Sequence, residues 1–437
     1  FEMSVVKASR LLAVGCPPPT SKSVSLQLLV SNAFIQQAGT GLFSLLPLGQ
    51  RVVTRLVSLI EKELDGIGAQ KISMPFLGAK ELWEKSGRWD NMGSELLKMK
   101  DRKKKEFCLQ PTAEEMVTEL VASHSKPSKA AYPLMLYQTT DKFRDEMNPR
   151  FGLIRGRSFL MNDLYSFDMT EGESRHTYDT VVQAYDRIFN HRLGLETYKV
   201  QADSGVHGGS LSHEYHLKNS LEEDALELCS SCGTYYKADE IVANMKECCE
   251  GAKRKRISSI EVAHTFVLGT RYAEALNAYA GGNRLPLHMC CFGIGVSRLI
   301  ASVIEHLSRA HCTTTPFIHL PKPIQPFDVA VIPSRSLLDS PLVGTLSSSL
   351  LDSLWTRNNP NASVLLDDRI DLSIGRRIMY AQSIGLSRVI VMGKETEKTK
   401  DKVPQFELWS ADPMKSEKLA LRGNFDLGSI VDQISQP

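Results

Sequence analysis

The chain reads as an α+β protein in two parts, and three observations carry that reading. Residues 51–64 (RVVTRLVSLIEKEL) place Val53, Leu56, Val57, Ile60 and Leu64 at helical spacing, and the alternating run 70–76 follows, ending at Pro75 like a strand at a sheet edge. Residues 142–168 read as strand, basic loop and apolar return strand, an antiparallel unit. Pro316, Pro321, Pro323 and Pro326 then mark a linker. Beyond it, short apolar strands at 327–333, 363–366 and 388–392 alternate with helical stretches, the rhythm of an α/β module.

The remaining elements fall between these marks. Residues 107–109 form a strand, Pro111 and Thr112 a turn, and Glu114 and Glu115 open a helix, where acids suit the positive end of the dipole. The run Lys253-Arg254-Lys255-Arg256 is expected to be a solvated linker. A strand at 264–268 follows, and 288–292 leads through Gly293-Ile294-Gly295 into a helix over 296–306.

Composition narrows the function. A chain of 437 residues is long enough for two or three domains, and 42% hydrophobic with 23% charged residues is a globular composition. With 52 Lys and Arg against 50 Asp and Glu, the net charge is +2, so any nucleic-acid surface must be a local patch. No apolar run approaches the ~18–20 residues that span a bilayer, which predicts no membrane role. Nine cysteines, several inside apolar stretches, do not make a secreted disulfide framework and fit a reducing compartment. Lys7, Arg10, Ser4 and Ser9, with no acid after Glu2, read as the end of a transit peptide.

Two stretches carry chemistry. In Phe143-Arg144-Asp145-Glu146, an arginine leaves a strand where its planar fork can pair with phosphate oxygens, a glutamate follows two residues on, and Phe159 across the hairpin can stack on a purine. A solvated surface hairpin is the plainer alternative. In HMCCFGIGVSR (288–298), Gly293 and Gly295 allow close approach to the backbone, and Arg298 lies in the first turn of the next helix, a place that favours anions. A tight turn with a solvent-facing arginine is the alternative there.

The strand ending Met74-Pro75, then FRDE with Phe159, then GIGVSR, in that order, resemble motifs 1, 2 and 3 of the class II aminoacyl-tRNA synthetases. Within that class, LPLGQRVVTRL, ELWEKSGRW, FCLQPTAEE, KFRDEMNPRFGLIRGRSFLMNDLYSF, QADSGVHGGSLSHEY, LGTRYAEALNA and CFGIGVSR resemble the bacterial-type prolyl-tRNA synthetases, over nearly the whole chain. The resemblance implies a catalytic domain over 1–315 with a class II antiparallel sheet flanked by helices. Its motif 1 would span about 51–76, motif 2 about 142–168 and motif 3 about 288–306. It further implies a linker at 316–326 and an α/β anticodon-binding domain over 327–437. The implied activity is ATP-dependent ligation of L-proline to tRNA(Pro) through a prolyl-adenylate, with Mg²⁺, by a homodimer. Arg144 would hold the α-phosphate, Glu146 the adenine amino group, Phe159 the purine ring and Arg298 the γ-phosphate. Thr112 and Glu114 match the family's proline-binding element, His264 and Cys291 match pocket positions, and Phe266 and Phe167 would wall the pyrrolidine ring. Asp367, Asp368, Arg369 and Arg376 would contact the anticodon. The short architecture points to a mitochondrial matrix enzyme, with a bacterial cytoplasmic one as the alternative.

The chain also departs from the family pattern. Ala113 stands where the family has His, Ser158 where it has Glu, Asn162 where it has Lys and Val267 where it has Gln. A short segment, 229–260, replaces the family's editing domain. It holds Cys229, Cys232, Cys248 and Cys249, a possible structural zinc site or a set of free thiols. A synthetase for another amino acid such as threonine, or a non-catalytic RNA-binding descendant, are the rival readings. Thr112 with Glu114 argue against the first, and the presence of both Arg144 and Arg298 argues against the second.

Overall fold

The computed structural model describes residues 4–12, 15–124, 131–238, 249, 253–280, 285–309, 317–356, 361–415 and 417–435. The chain forms two compact units, one of residues 37–43 and 57–302, the other of residues 1–36, 44–56 and 303–437.

The first unit is organised by a nine-stranded sheet. Its strands lie in the order Thr197–Gln201, Leu211–Lys218, Arg254–Gly269, His288–Gly295, Ser158–Asp168 and Leu134–Phe143, all antiparallel, with Gln70–Lys71 added parallel at the edge. The hairpin expected at 142–168 is its longest regular pairing, in register from Leu134 opposite Phe167 to Phe143 opposite Ser158. One face is covered by the helix Glu171–Asp186, started by a full capping box between Thr170 and Glu173. It buries Tyr178, Val181 and Tyr185, and the Tyr185 ring meets Tyr215 and Phe292 edge-on. The other face carries the helix Glu114–Ser123, whose Val117 and Val121 share a core with Phe167, Phe266 and Met289.

Three expectations change here. The strand foreseen over 70–76 stops at Lys71, because Ile72 N–H still reaches Tyr137 but Met74 N–H turns to the Gln138 side chain instead of the backbone. The segment 229–260 is not a plain linker: Asp224–Cys229 and Tyr235–Lys237 form a hairpin, and the charge run opens the sixteen-residue strand Arg254–Gly269. Its cations are tolerated because residues 254–256 are exposed.

The second unit holds a six-stranded sheet in the order Ser4–Lys7, Ser363–Leu366, Val329–Pro333, Arg388–Met392, Phe406–Ser410 and Ala420–Phe425. The first four strands are parallel and the last two antiparallel. The parallel strands Val329–Pro333 and Ser363–Leu366 are buried at every position, as strands covered on both faces must be. Residues Ser4–Lys7, within the stretch read from sequence as the end of a transit peptide, pair in this sheet, with Val5 opposite Val364, and Ser9 in the turn that follows donates through N–H and Oγ to Asp368. Arg55, 6% exposed, makes a two-pronged pair with Asp328 at 3.1 and 2.6 Å, fixing the start of the strand Val329–Pro333.

Candidate active site

A cleft of about 410 Å³ opens on the sheet of the first unit, and its lining draws together Thr112, Glu114, Arg144, Glu146, Phe159, His264, Phe266, Cys291 and Arg298, residues spread over almost two hundred positions of sequence. The sheet does this by period two: Phe159, Met161, Asp163 and Tyr165 alternate along one strand to face the cleft, and Cys291, Gly293 and Gly295 do so on its neighbour. Neither Gly293 nor Gly295 needs a positive φ. A Cβ at Gly293 would meet the Met161 side chain from 3.5 Å, and one at Gly295 the Arg298 Cβ at 3.4 Å, both ordinary contacts, so the glycines serve to keep the cleft floor bare.

At one end sits a carboxylate. Glu114 is 1% exposed at the first position of its helix. Its Oε2 accepts from Arg88 Nη1 at 2.8 Å and from the Thr112 hydroxyl at 2.7 Å, and its Oε1 lies 3.8 Å from His207 Nε2. Burial pushes Glu114 up, but the Arg88 and His207 charges and the Thr112 hydrogen bond outweigh it and hold the carboxyl down at about 2. His207 goes the other way. Burial, assisted by Arg88 and Arg144 and resisted by Glu114, lowers it to about 4, so it is neutral at pH 7. The Phe266 ring stacks with His264, at 3.9 Å between centroids, and with His207, at 4.7 Å, making a stack of three rings beside the carboxylate. Phe167, expected in that wall, is fully buried in the core cluster with Ala113 and Val117 and does not line the cleft.

At the other end are two cations. Arg144 lies over the Phe159 ring at 5.2 Å, and its buried Nε has no hydrogen-bond partner. Burial first, and then the charge of Arg298, lower its pKa against the pull of Glu261, Glu95 and Glu114, so the cation of Arg144 is held there at a cost. Arg298 is anchored by Nε to the Ile154 carbonyl at 2.8 Å and by Nη1 to the Glu261 carbonyl at 3.2 Å, with the Glu261 carboxylate 3.6 Å away. Glu146, placed near adenine from sequence, has its carboxylate paired with Arg155 at 2.9 Å on the cleft rim.

Sequence reasoning missed several groups here. Arg88 is wholly buried, bonds both Glu114 and Glu115, and lies over the Trp83 ring at 5.0 Å. Glu214, Glu261 and His264 offer ligand atoms within 4.8 Å of one another, and Lys237 reaches Glu214 at 2.8 Å. Burial alone would raise Glu261, but hydrogen bonding to His264 and the charges of His264 and Arg298 bring it far below the usual carboxylate range. The signal available was the pair Glu214 and His216, two residues apart in the strand Leu211–Lys218 and hydrogen-bonded to each other at 2.8 Å.

The remaining residues lie elsewhere. In the second unit, Asp367 is 1% exposed and takes Arg369 on both oxygens, at 2.9 and 2.6 Å, while the Arg369 guanidinium covers the Tyr380 ring at 3.9 Å. Asp368 is taken by Ser9, and Arg376, exposed, stands at the start of the helix Ile374–Ser383. Cys229, Cys232 and Cys249 cluster in the first unit, and Cys248 lies outside the described residues.

With this geometry in place, comparison with known proteins identifies the frame. The family profile described as "tRNA synthetase class II core domain (G, H, P, S and T)" matches residues 97–307. The Rattus norvegicus "Probable proline--tRNA ligase, mitochondrial" is 41% identical over 410 residues, covering 92% of this chain and 84% of the relative. The Homo sapiens protein of the same name is 37% identical, covering 98% and 89%. The "Proline--tRNA ligase" of Sulfurimonas denitrificans is 35% identical, covering 87% and 90%. A Giardia lamblia prolyl-tRNA synthetase structure, in complex with prolyl-adenylate, superposes with a TM-score of 0.70 at 16% identity, covering 92% of this chain and 74% of that one, and so shares the fold. The chain belongs to the proline–tRNA ligases, class II aminoacyl-tRNA synthetases of the mitochondrial and bacterial type.

Proposed function

We propose that the cleft activates L-proline with ATP and passes the prolyl group to tRNA(Pro), and that Glu114 and the pair Arg144 and Arg298 mark its two ends. The observation that carries this is their convergence on one cleft: an ionised, buried carboxylate beside Phe266, and two guanidinium groups, Arg144 and Arg298, with Glu261 beside them. A secondary ammonium fits the first, because Glu114 Oε1 lies on the His207 side while Oε2 is committed to Arg88 and Thr112. The Phe266 ring, held in its stack with His264 and His207, gives a saturated ring an apolar neighbour on the cleft lining. A polyphosphate fits the second, with Arg144 at the α-phosphate, Arg298 at the γ-phosphate and Phe159 under the purine. Glu146 would leave Arg155 to meet the adenine amino group.

The chemistry then asks little of the protein beyond position and charge. Proline's carboxylate oxygen attacks the α-phosphorus, the bond to the bridging oxygen breaks, and pyrophosphate leaves with Arg144 and Arg298 countering the spreading charge. A ribose hydroxyl of the tRNA next attacks the prolyl carbonyl and releases AMP, a step that needs alignment more than a protein nucleophile. Glu261 and Glu214 would hold a Mg²⁺ ion that arrives with ATP, since hard carboxylate oxygens suit it and theirs lie within reach of each other. That ion, when bound, adds positive charge at the phosphates. Arg376 and Arg369, with Asp367 and Asp368 orienting that corner, would meet the anticodon. The names of the relatives support a mitochondrial matrix location, and class membership supports a homodimer through segment 51–76. Sedimentation at twice the 48.6 kDa chain mass is expected, and a monomer at micromolar concentration would rule the dimer out.

Amino-acid-dependent ATP–pyrophosphate exchange tests the reading. Proline is expected to drive exchange and threonine is not. Alanine should drive it measurably, since missing methylenes are worth only ~1–3 kcal/mol. The Ala-tRNA formed should persist, because a short hairpin stands in place of an editing domain. Exchange driven by threonine, or hydrolysis of Ala-tRNA by the purified chain, would refute the respective half.

A further inference from the structure

We propose that Cys229, Cys232 and Cys249 form a structural zinc centre that holds the hairpin Asp224–Cys229/Tyr235–Lys237 in shape. Their ligand sulfurs all lie within 4.8 Å of one another, on a buried, an exposed and a half-buried residue respectively. Tetrahedral zinc with Zn–S bonds of ~2.3 Å separates sulfurs by about 3.8 Å, so small side-chain rotations close the set around an ion. One soft divalent ion would use all three sulfurs and leave its fourth position to a further ligand.

The backbone is shaped for this. Gly233 N–H donates to the Cys229 carbonyl at 3.0 Å, and Cys229 N–H donates to Thr234 at 2.9 Å, closing a tight loop around the C-x-x-C pair. Gly233 takes φ +74°, a left-handed turn directly after Cys232 that brings both thiols to one side. The returning chain is fastened to the same loop: Ser230 donates through N–H and Oγ to the Lys253 carbonyl, four residues after Cys249, and Cys229 stands opposite Arg254 in the sheet. Of the cation run, Arg254 stands next to Cys229 in the sheet, and positive charge near a thiol favours the thiolate form that a metal needs.

Energetics point the same way. Every residue of the strand Tyr235–Lys237 is only half-buried, and residues 254–256 are exposed, so the hairpin end has little core of its own. Small lobes of this kind gain stability from a metal. The consequence reaches the cleft, because Lys237 at the end of this hairpin pairs with Glu214 on the cleft lining. The centre does not depend on which amino acid the cleft takes.

The test is elemental analysis of the purified full chain, expressed without added metal and dialysed free of loose ions. One zinc per chain is expected, released by a mercurial thiol reagent. Cobalt in its place should give thiolate-to-metal charge transfer in the near ultraviolet and the intense visible bands of a tetrahedral site. Cys232→Ser should cut bound zinc at least tenfold, while Cys16→Ser leaves it unchanged. The unsubstituted chain decides the matter even if a variant misfolds. Zinc-free protein whose three thiols all alkylate in the native state, a disulfide found by mass among them, iron in place of zinc, or full zinc in Cys232→Ser would each overturn the assignment.

Discussion

Replacing Arg144 by alanine should lower kcat for proline-dependent pyrophosphate exchange by ~10²–10³-fold and cost the free protein no stability. The two halves of this expectation come from one feature. Arg144 is desolvated and repelled by Arg298, and no ion pair is formed by its guanidinium among the described residues. In the free protein it is therefore an expense, and its removal relieves repulsion. With a triphosphate bound the same charge is what the leaving pyrophosphate requires. Arg298→Ala should match it in rate but lose some stability, because its guanidinium also ties the Ile154 and Glu261 carbonyls. Urea denaturation alongside exchange kinetics separates the two. A marked destabilisation in Arg144→Ala with near-normal exchange would mean that the residue is structural.

The second large effect is expected at Arg88, which touches no substrate in the proposed site. Its guanidinium faces two buried carboxylates, and burial, which alone would lower its pKa, is overcome by Glu114 and Glu115, so it stays charged. Arg88→Met leaves both acids without a counter-charge, a loss of ~3–5 kcal/mol in stability at neutral pH. The pH dependence follows from the signs. In the unaltered chain Glu114 is held at about 2 against an ordinary 4.5, so its stabilising contribution is complete above pH 4.5 and fades as pH falls towards 2. Without Arg88, burial governs, the carboxyl pKa moves above its ordinary value, and the penalty grows as pH rises through the unfolded value. The stability gap between variant and parent should accordingly be widest near pH 7 and narrow below pH 4.5. KM for proline should rise by ~10-fold or more, because a protonated Glu114 no longer attracts an ammonium. Arg88→Lys should recover part of both, keeping charge without the fork. A deficit that does not vary with pH, with KM unchanged, would assign Arg88 to packing alone.

Much of this site was legible because its chemistry is local in sequence. Arg144 and Phe159 sit on the two arms of one hairpin, Thr112 and Glu114 on one helix start, and Arg298 in the first turn after a strand, and each position has its own turn, strand or cap signal. What escaped was of two kinds. Arg88, His207 and Glu261 owe their roles to tertiary neighbours: a buried arginine in SGRW looks like any surface arginine until Glu114 and Glu115 are seen against it. The charge run at 253–256 misled because strands are judged by their buried residues, and this one begins where the sheet is bare. The partners of the acids at 367 and 368, Arg369 and Ser9, are likewise set by the fold, Ser9 lying 359 residues away in sequence from Asp368.

The central claim is that one cleft seats a nucleotide phosphate on Arg144 and an imino acid on Glu114. A cocrystal with a non-hydrolysable prolyl-adenylate analogue tests it most directly. The phosphate surrogate should lie within hydrogen-bond distance of the Arg144 guanidinium, and the pyrrolidine nitrogen should contact Glu114 beside the Phe266 ring. An analogue bound on another surface, or one whose ring nitrogen points away from Glu114, would contradict the account.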